Sequence, residues 1–119
     1  MSSRDRALAF LLGRLNYERA AVIPYSEQSL RLARMHELLE QLERPDRKFR
    51  VVHVAGTKGK GSTSAMAATV LSAAGYRTGL FTSPHLERME ERISVDGREI
   101  SPEQLVRLVE RVRPAVEAL

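Results

Sequence analysis

The run VVHVAGTKGKGSTSAMAATV, residues 51–70, restricts the fold more than any other part of the chain. A short stretch led by Val51, Val52 and Val54, without polar alternation, suits a strand covered on both faces. Gly56, Gly59 and Gly61 then break the pattern abruptly. From Ser62 to Ala74 the chain is rich in alanine, with Met66, Val70 and Leu71 on one side at helical spacing. Gly75 stands where helices commonly end on a left-handed residue. Residues 77–82 read as a second short strand. Strand, helix and strand together span about thirty residues, the length of a right-handed parallel crossover. The small alanines would let the helix lie close to a sheet.

The flanks supply helices and a hairpin. Leu8, Leu11, Leu12 and Leu15 predict an amphipathic helix over 4–16. Pro24 marks a connection, after which Ser26 or Ser29 is placed to cap a second helix carrying Leu32, Met35, Leu38, Leu39 and Leu42. Pro45 should end it. Asp96-Gly97 between residues 92–95 and 98–100 has the signature of a two-residue β-hairpin. Ser101, Pro102 and Gln104 form a capping-box start for a last helix, striped by Leu105, Leu108, Val109, Val112 and Val116. Pro114 should kink or stop that helix. The expected class is therefore α/β, a parallel-sheet domain built on a phosphate loop, with N-terminal helices and a small hairpin.

Polyphosphate requires several donors and positive charge in a small volume. Glycines permit positive φ and close backbone approach, so that consecutive N–H groups point into one concavity. A helix opening near Ser62 would add its free amides and dipole. Gly56, Thr57, Lys58, Gly59, Lys60, Gly61, Ser62 and Thr63 are thus the candidate nucleotide-binding residues. Lys60 would set an ammonium among the phosphate oxygens, and Ser62 or Thr63 could offer a hydroxyl to the nucleotide or its magnesium. The spacing departs from G-x-x-x-x-G-K-[ST]: Gly56 stands three residues before Gly59, and Gly61 separates Lys60 from Ser62. The alternative is a glycine-rich turn with its lysines in solvent.

Composition narrows the classes. With 119 residues the chain is one modest domain, and without cysteine it has neither disulfides nor thiolate metal sites. A net charge of +4 invites a nucleic-acid reading, but arginines alternate with acids and aromatics make up only 5%, leaving few platforms for bases. The basic stretch 44–50 is interrupted by Asp46 and reads as a solvated connection. No window is long and apolar enough to span a membrane, and the first residues lack a signal-peptide pattern. The expectation is a cytoplasmic protein with neither nucleic acid nor membrane as partner.

HVAGTKGKGST, AGYRTGLFTSPHL and ERISVDGREIS, in that order, closely resemble the N-terminal part of folylpolyglutamate and dihydrofolate synthases of the Mur ligase superfamily. SLRLARMHELLEQL is also similar to the helix leading into their loop, so the likeness runs from about Ser26 onward. Lys58 falls where many members carry asparagine, though lysine also occurs there. The resemblance implies an incomplete Mur ligase central-type domain that uses ATP and Mg2+. It implies ADP-forming addition of glutamate to folate or dihydropteroate through an acyl phosphate. Lys60 would be the catalytic cation, Ser83 and Ser62 the metal ligands, and Ser29, Leu30 and His85 would lie near the pterin substrate.

Other readings remain beside these. Ser83 before Pro84 also suits a loop start, His85 a surface loop and His53 a neutral core position. His36 should be exposed on its helix. Glu90, Glu91 and Arg92 also read as a solvated charge run. The resemblance further implies that residues 1–119 form only the N-terminal portion of the ATP-binding domain, with the C-terminal ligase domain absent. The remainder of the ligase is then a candidate partner, and the isolated chain is expected to be inactive. The alternatives are a non-catalytic nucleotide-binding module or a generic phosphate-loop NTPase.

Overall fold

A computed structural model describes residues 1–13 and 25–119, with side chains described up to 13 and from 32 onward. Among the described residues four α-helices and three strands follow in the order α1 (Ser3–Leu12), α2 (Tyr25–Gln41), α3 (Lys60–Ala73), β1 (Gly79–Phe81), β2 (Ile93–Val95), β3 (Arg98–Glu99) and α4 (Pro102–Glu117). They fall into two compact units. Met1–Val51 with Val106–Leu119 make one, and Val52–Leu105 the other.

In the first unit, α1 starts from a reciprocal cap. The Ser2 hydroxyl accepts from the Asp5 amide at 3.0 Å, and the Asp5 carboxylate accepts from the Ser2 amide at 3.0 Å. The Ser2 hydroxyl and then the Ser2 amide hold the Asp5 carboxyl below its ordinary range. The helix is shorter than the periodicity predicts and ends at Gly13, whose amide bonds to the Ala9 carbonyl; residues 14–16 lie outside the described residues. α2 already includes Tyr25, so neither Ser26 nor Ser29 caps it. It stops at Gln41, before Pro45 can act. Glu43 and Arg44 turn left-handed at φ 63° and 51°, and the amides of Glu43 and Arg44 close back on the Glu40 and Leu39 carbonyls. This is the Schellman pattern with a glutamate where glycine is usual. Ala7 of α1 and Val109 and Ala115 of α4 are buried, and the Arg113 guanidinium lies 4.8 Å from the Phe10 ring centre. Pro114 sits inside α4 without ending it: the Ala118 amide still reaches the Pro114 carbonyl.

The second unit holds α3 and the sheet. β1 pairs antiparallel with β2, and β2 with β3. Asp96 and Gly97 take φ 50° and 79°, the double left-handed turn that lets two residues close a twisted hairpin. Gly75, at φ 96°, ends α3 in a second Schellman motif, with the Tyr76 amide on the Leu71 carbonyl and the Gly75 amide on the Ser72 carbonyl. Ser101 and Gln104 form the predicted box at the start of α4. Ile100, Leu105 and the fully enclosed Glu90 are buried here.

The valine run behaves differently from its reading as a covered strand. Residues 49–55 form no ladder with described residues, and Phe49, Val51 and Val52 are exposed. A two-sided strand needs neighbours on both edges. Among the described residues the one ladder offered to β1 comes from β2, which the connection 82–92 brings back beside it at modest entropic cost. Hence β1 follows α3 as predicted, but its partner is β2, antiparallel, rather than a parallel strand before the loop.

Candidate functional site

The glycine loop is built from the helix that follows it. Gly59 takes φ 73° and ψ 9° as N-cap of α3, so the chain enters the helix at Lys60, two residues before the predicted start. The first bond of α3 runs from the Thr63 amide to the Gly59 carbonyl at 3.0 Å. The amides of Lys60, Gly61 and Ser62 therefore have no helical acceptor ahead of them and stand at the positive end of the peptide dipoles. Thr63 differs from its reading as a cradle amide: its N–H is used by the helix, and only its hydroxyl remains for a ligand.

The loop itself is open. Residues 55–63 are exposed, and a Cβ on Gly59 or Gly61 would meet nothing within 4 Å. A Cβ on Gly56 would stand 3.8 Å from the Lys58 carbonyl and 4.0 Å from Lys60 Cγ. The first carbons of the Lys60 side chain thus lie near Gly56. Free amides, a dipole end and a cation at one helix start are the groups an anion would meet. This fits the phosphates of a nucleotide. For magnesium the fit is partial: Ser62 and Ser83 offer hard hydroxyl oxygens, but among the described residues no group of three His, Asp or Glu side chains could hold a metal. Phosphate and water oxygens would have to complete its coordination.

The second part of the candidate site follows β1. The Thr82 amide bonds to the Arg92 carbonyl at 3.0 Å, after which Ser83 and Pro84 leave the sheet, Ser83 exposed. His85 is half-buried, and its Nδ1 accepts from Arg92 Nε at 2.8 Å. It is therefore a fixed loop histidine with Nε2 left to carry the ring proton. Glu91 accepts from three consecutive amides, those of Leu86, Glu87 and Arg88, at 2.9, 3.0 and 2.8 Å. The Leu86 amide, then that of Arg88, draws the Glu91 carboxyl below its ordinary range. The Arg88 guanidinium meets Glu99 at 2.8 Å.

These contacts overturn the reading of 90–92 as a solvated charge run. Glu90 is enclosed, while Glu91 and Arg92 both reach back to the same loop. One signal was present in the sequence: Glu91 stands three residues after Arg88, the offset at which a carboxylate returns to a helix start. Asp96 was read only as a turn residue. Its Oδ1 also accepts from the Thr78 amide at 2.8 Å and the Ser72 hydroxyl at 3.2 Å, tying the end of α3 to the start of β1. His53, read as a core residue, is exposed, because the strand that would enclose it does not form. His36 is exposed on α2 as expected. Ser29 and Leu30 lie on the α2 backbone, and their side chains fall outside the described residues.

No protein-family model matches the chain. Curated relatives do. A dihydrofolate synthase/folylpolyglutamate synthase of Bacillus subtilis is 50% identical over 88 residues, 74% of this chain and 20% of the relative. A folylpolyglutamate synthase of Arabidopsis thaliana is 40% identical over 111 residues, 89% of this chain and 17% of the relative. Among solved structures, Mycobacterium tuberculosis folylpolyglutamate synthase complexed with ADP is 35% identical at a TM-score of 0.82, covering 98% of this chain and 23% of that one. The Thermotoga maritima enzyme is 31% identical at a TM-score of 0.81, with 98% and 24% covered. The chain thus spans about a fifth of the length of the curated relatives it matches. Over that fifth, in both sequence and fold, the chain belongs to the folylpolyglutamate and dihydrofolate synthase family.

Proposed function

We propose that this chain provides the nucleotide-phosphate site of a cytoplasmic, ADP-forming ligase that adds glutamate to folate or dihydropteroate. The observation that carries the reading is the opening of α3 at Lys60 directly from left-handed Gly59, which leaves three amides and a lysine at one helix end. A relative has been solved as an AMPPCP–folate complex, at 33% identity and a TM-score of 0.80, which supports ATP and a folate as the ligands. In this proposal the substrate carboxylate is activated as an acyl phosphate, and the glutamate amine displaces phosphate to give the amide.

The roles follow from the geometry. The amides of Lys60, Gly61 and Ser62 bind and orient terminal phosphate oxygens. Lys60 neutralises charge that grows on those oxygens during transfer, where fixed positive groups contribute most. Gly56, Thr57, Lys58 and Gly59 shape the approach, and the Thr63 hydroxyl lines it. Ser62 and Ser83 would hold magnesium, which when bound screens the phosphate charge. His85, with Ser29 and Leu30, belongs to the folate end. Residues 1–119 are then the N-terminal portion of the ATP-binding domain.

A second reading, a nucleotide-binding module without turnover of its own, is favoured by the lack of an acidic or histidine metal group among the described residues. One set of measurements tests both. The chain should bind AMPPCP more tightly with magnesium than without, and Lys60→Ala should weaken binding by about tenfold or more, as loss of a charge-assisted contact requires. Equal affinities for Lys60→Ala and the unmodified chain would remove the site. ADP release that depends on glutamate and on dihydropteroate or folate would select the ligase over the module.

A further inference from the structure

Residues 83–88 leave the sheet without packing to hold them. Leu86, the one large apolar side chain of the segment, is 94% exposed, so the hydrophobic effect does not anchor it. No backbone hydrogen bond among the described residues ties the amides of 85–88. Order comes from two adjacent side chains instead. Glu91 takes the amides of Leu86, Glu87 and Arg88, and Arg92 bonds to His85. Both sit in the short 3-10 turn Met89–Arg92 that feeds β2, the strand paired with β1. The turn is itself fixed by the enclosed Glu90 and the buried Ile100, whose amide bonds to the Ile93 carbonyl. A rigid base thus grips the loop through Glu91 and Arg92, and at its far end the exposed Arg88 guanidinium adds an ion pair to Glu99 of β3.

We propose that Glu91 is a positioning residue for the magnesium-bound nucleotide: its carboxylate fixes the loop that presents the Ser83 hydroxyl. The proposal rests on the reading of Ser83 as an oxygen ligand of the ion. Residues that hold a ligand-bearing loop commonly change metal affinity by about 10–100-fold when replaced. The contacts also say which replacement matters. Glu91 Oε1 serves one amide and Oε2 serves two. Glutamine keeps the size but turns an NH2 group toward at least one of these donors. Aspartate keeps both oxygens at shorter reach. The three amides hold the Glu91 carboxyl below its ordinary range, in keeping with a charged clamp at neutral pH.

The test measures AMPPCP binding to the full chain by titration calorimetry, in magnesium chloride and in EDTA, for the unmodified chain, Glu91→Gln and Glu91→Asp. Amide hydrogen exchange is followed at 86–88 in parallel. Glu91→Gln should speed exchange at those amides, leave the affinity in EDTA unchanged and remove about tenfold of the magnesium-dependent gain. Glu91→Asp should restore part of it. Faster exchange with the magnesium gain intact would reduce Glu91 to a structural role and overturn the proposal. Unchanged exchange would show that the clamp is absent, and an equal loss in EDTA would show that the effect is not magnesium-specific. An unmodified chain that binds no AMPPCP in either buffer, or gains nothing from magnesium, would overturn the underlying site as well.

Discussion

Replacing Gly61 by alanine should stabilise the chain and weaken nucleotide binding at once. Gly61 is the second residue of α3, and a Cβ there meets nothing within 4 Å. Glycine costs a helix roughly 0.5–1 kcal/mol relative to alanine, mainly through the freedom it retains when unfolded. At a first-turn position the lower end applies, so Gly61→Ala should add about 0.5 kcal/mol and raise Tm by roughly 2–4 °C. The same empty space is where a phosphate would approach the amides of Lys60, Gly61 and Ser62. A methyl group there displaces the anion from at least one charge-assisted hydrogen bond, worth about 1.5–3 kcal/mol. That corresponds to about 10–100-fold in Kd. Thermal unfolding without ligand, followed by AMPPCP titration, reads the two effects separately. Gly59→Ala is the comparison. Its Cβ is equally unobstructed, but φ 73° costs a non-glycine residue about 1–2 kcal/mol, so stability and affinity should fall together. If Gly61→Ala leaves affinity unchanged, the free amides are not the phosphate site. If it lowers stability, the helix does not open where the structure places it.

Three further outcomes are expected. Asp96→Ala removes the acceptor for the Thr78 amide and the Ser72 hydroxyl and puts alanine at φ 50°; urea unfolding should show a loss of about 2–4 kcal/mol. Asp96→Asn, which keeps an oxygen and tolerates the left-handed region, should cost less than about 1 kcal/mol. Glu43→Gly, at φ 63° in the turn that ends α2, should stabilise by about 0.5–1 kcal/mol in the same assay, because the relieved strain exceeds the added unfolded-state freedom. Asp5 and Glu91 are both held below their ordinary values of 3.8 and 4.5. Their contribution to order is complete above those values and is lost as pH falls through the lower, folded ones. Amide exchange at the start of α1 and at 86–88 should therefore hardly differ between pH 7 and pH 6 after correction for intrinsic rates. It should accelerate once the pH drops below about 4.

Features written in neighbouring residues were legible in the sequence. Asp96-Gly97 gave the hairpin, Gly75 the end of α3, and Ser101 with Gln104 the start of α4. Each depends on contacts within about five residues, where conformational preference and one or two hydrogen bonds decide. The valine run was misread because its burial depends on neighbouring strands rather than on itself. The start of α3 was placed near Ser62 because the alanine-rich run begins there, whereas Gly59, being able to turn left-handed, starts the helix earlier. The grip of Glu91 on 86–88 was hidden in a charge run, where composition suggests solvent and geometry decides otherwise.

The uneven support of the glycine loop bears on how tightly it can bind. Downstream it is well held: α3 ends in a Schellman motif, and Asp96 ties that end to β1. Upstream, residues 49–55 are not locked by ladder bonds to described residues, and Val52 is 72% exposed. Helix amides are thus presented ready-made, whereas the approach through Gly56, Thr57 and Lys58 has no ladder behind it, and each backbone residue there that binding had to fix would cost about 1–2 kcal/mol. Ordering even two of them would weaken Kd on the order of 30- to 1,000-fold relative to a loop held from both sides. Weak binding by this chain would therefore follow from the unbraced approach and would not argue against the amides of α3. What separates the two is the dependence on Gly61 and Lys60, which act from the braced side and should keep their full proportional effect however low the starting affinity.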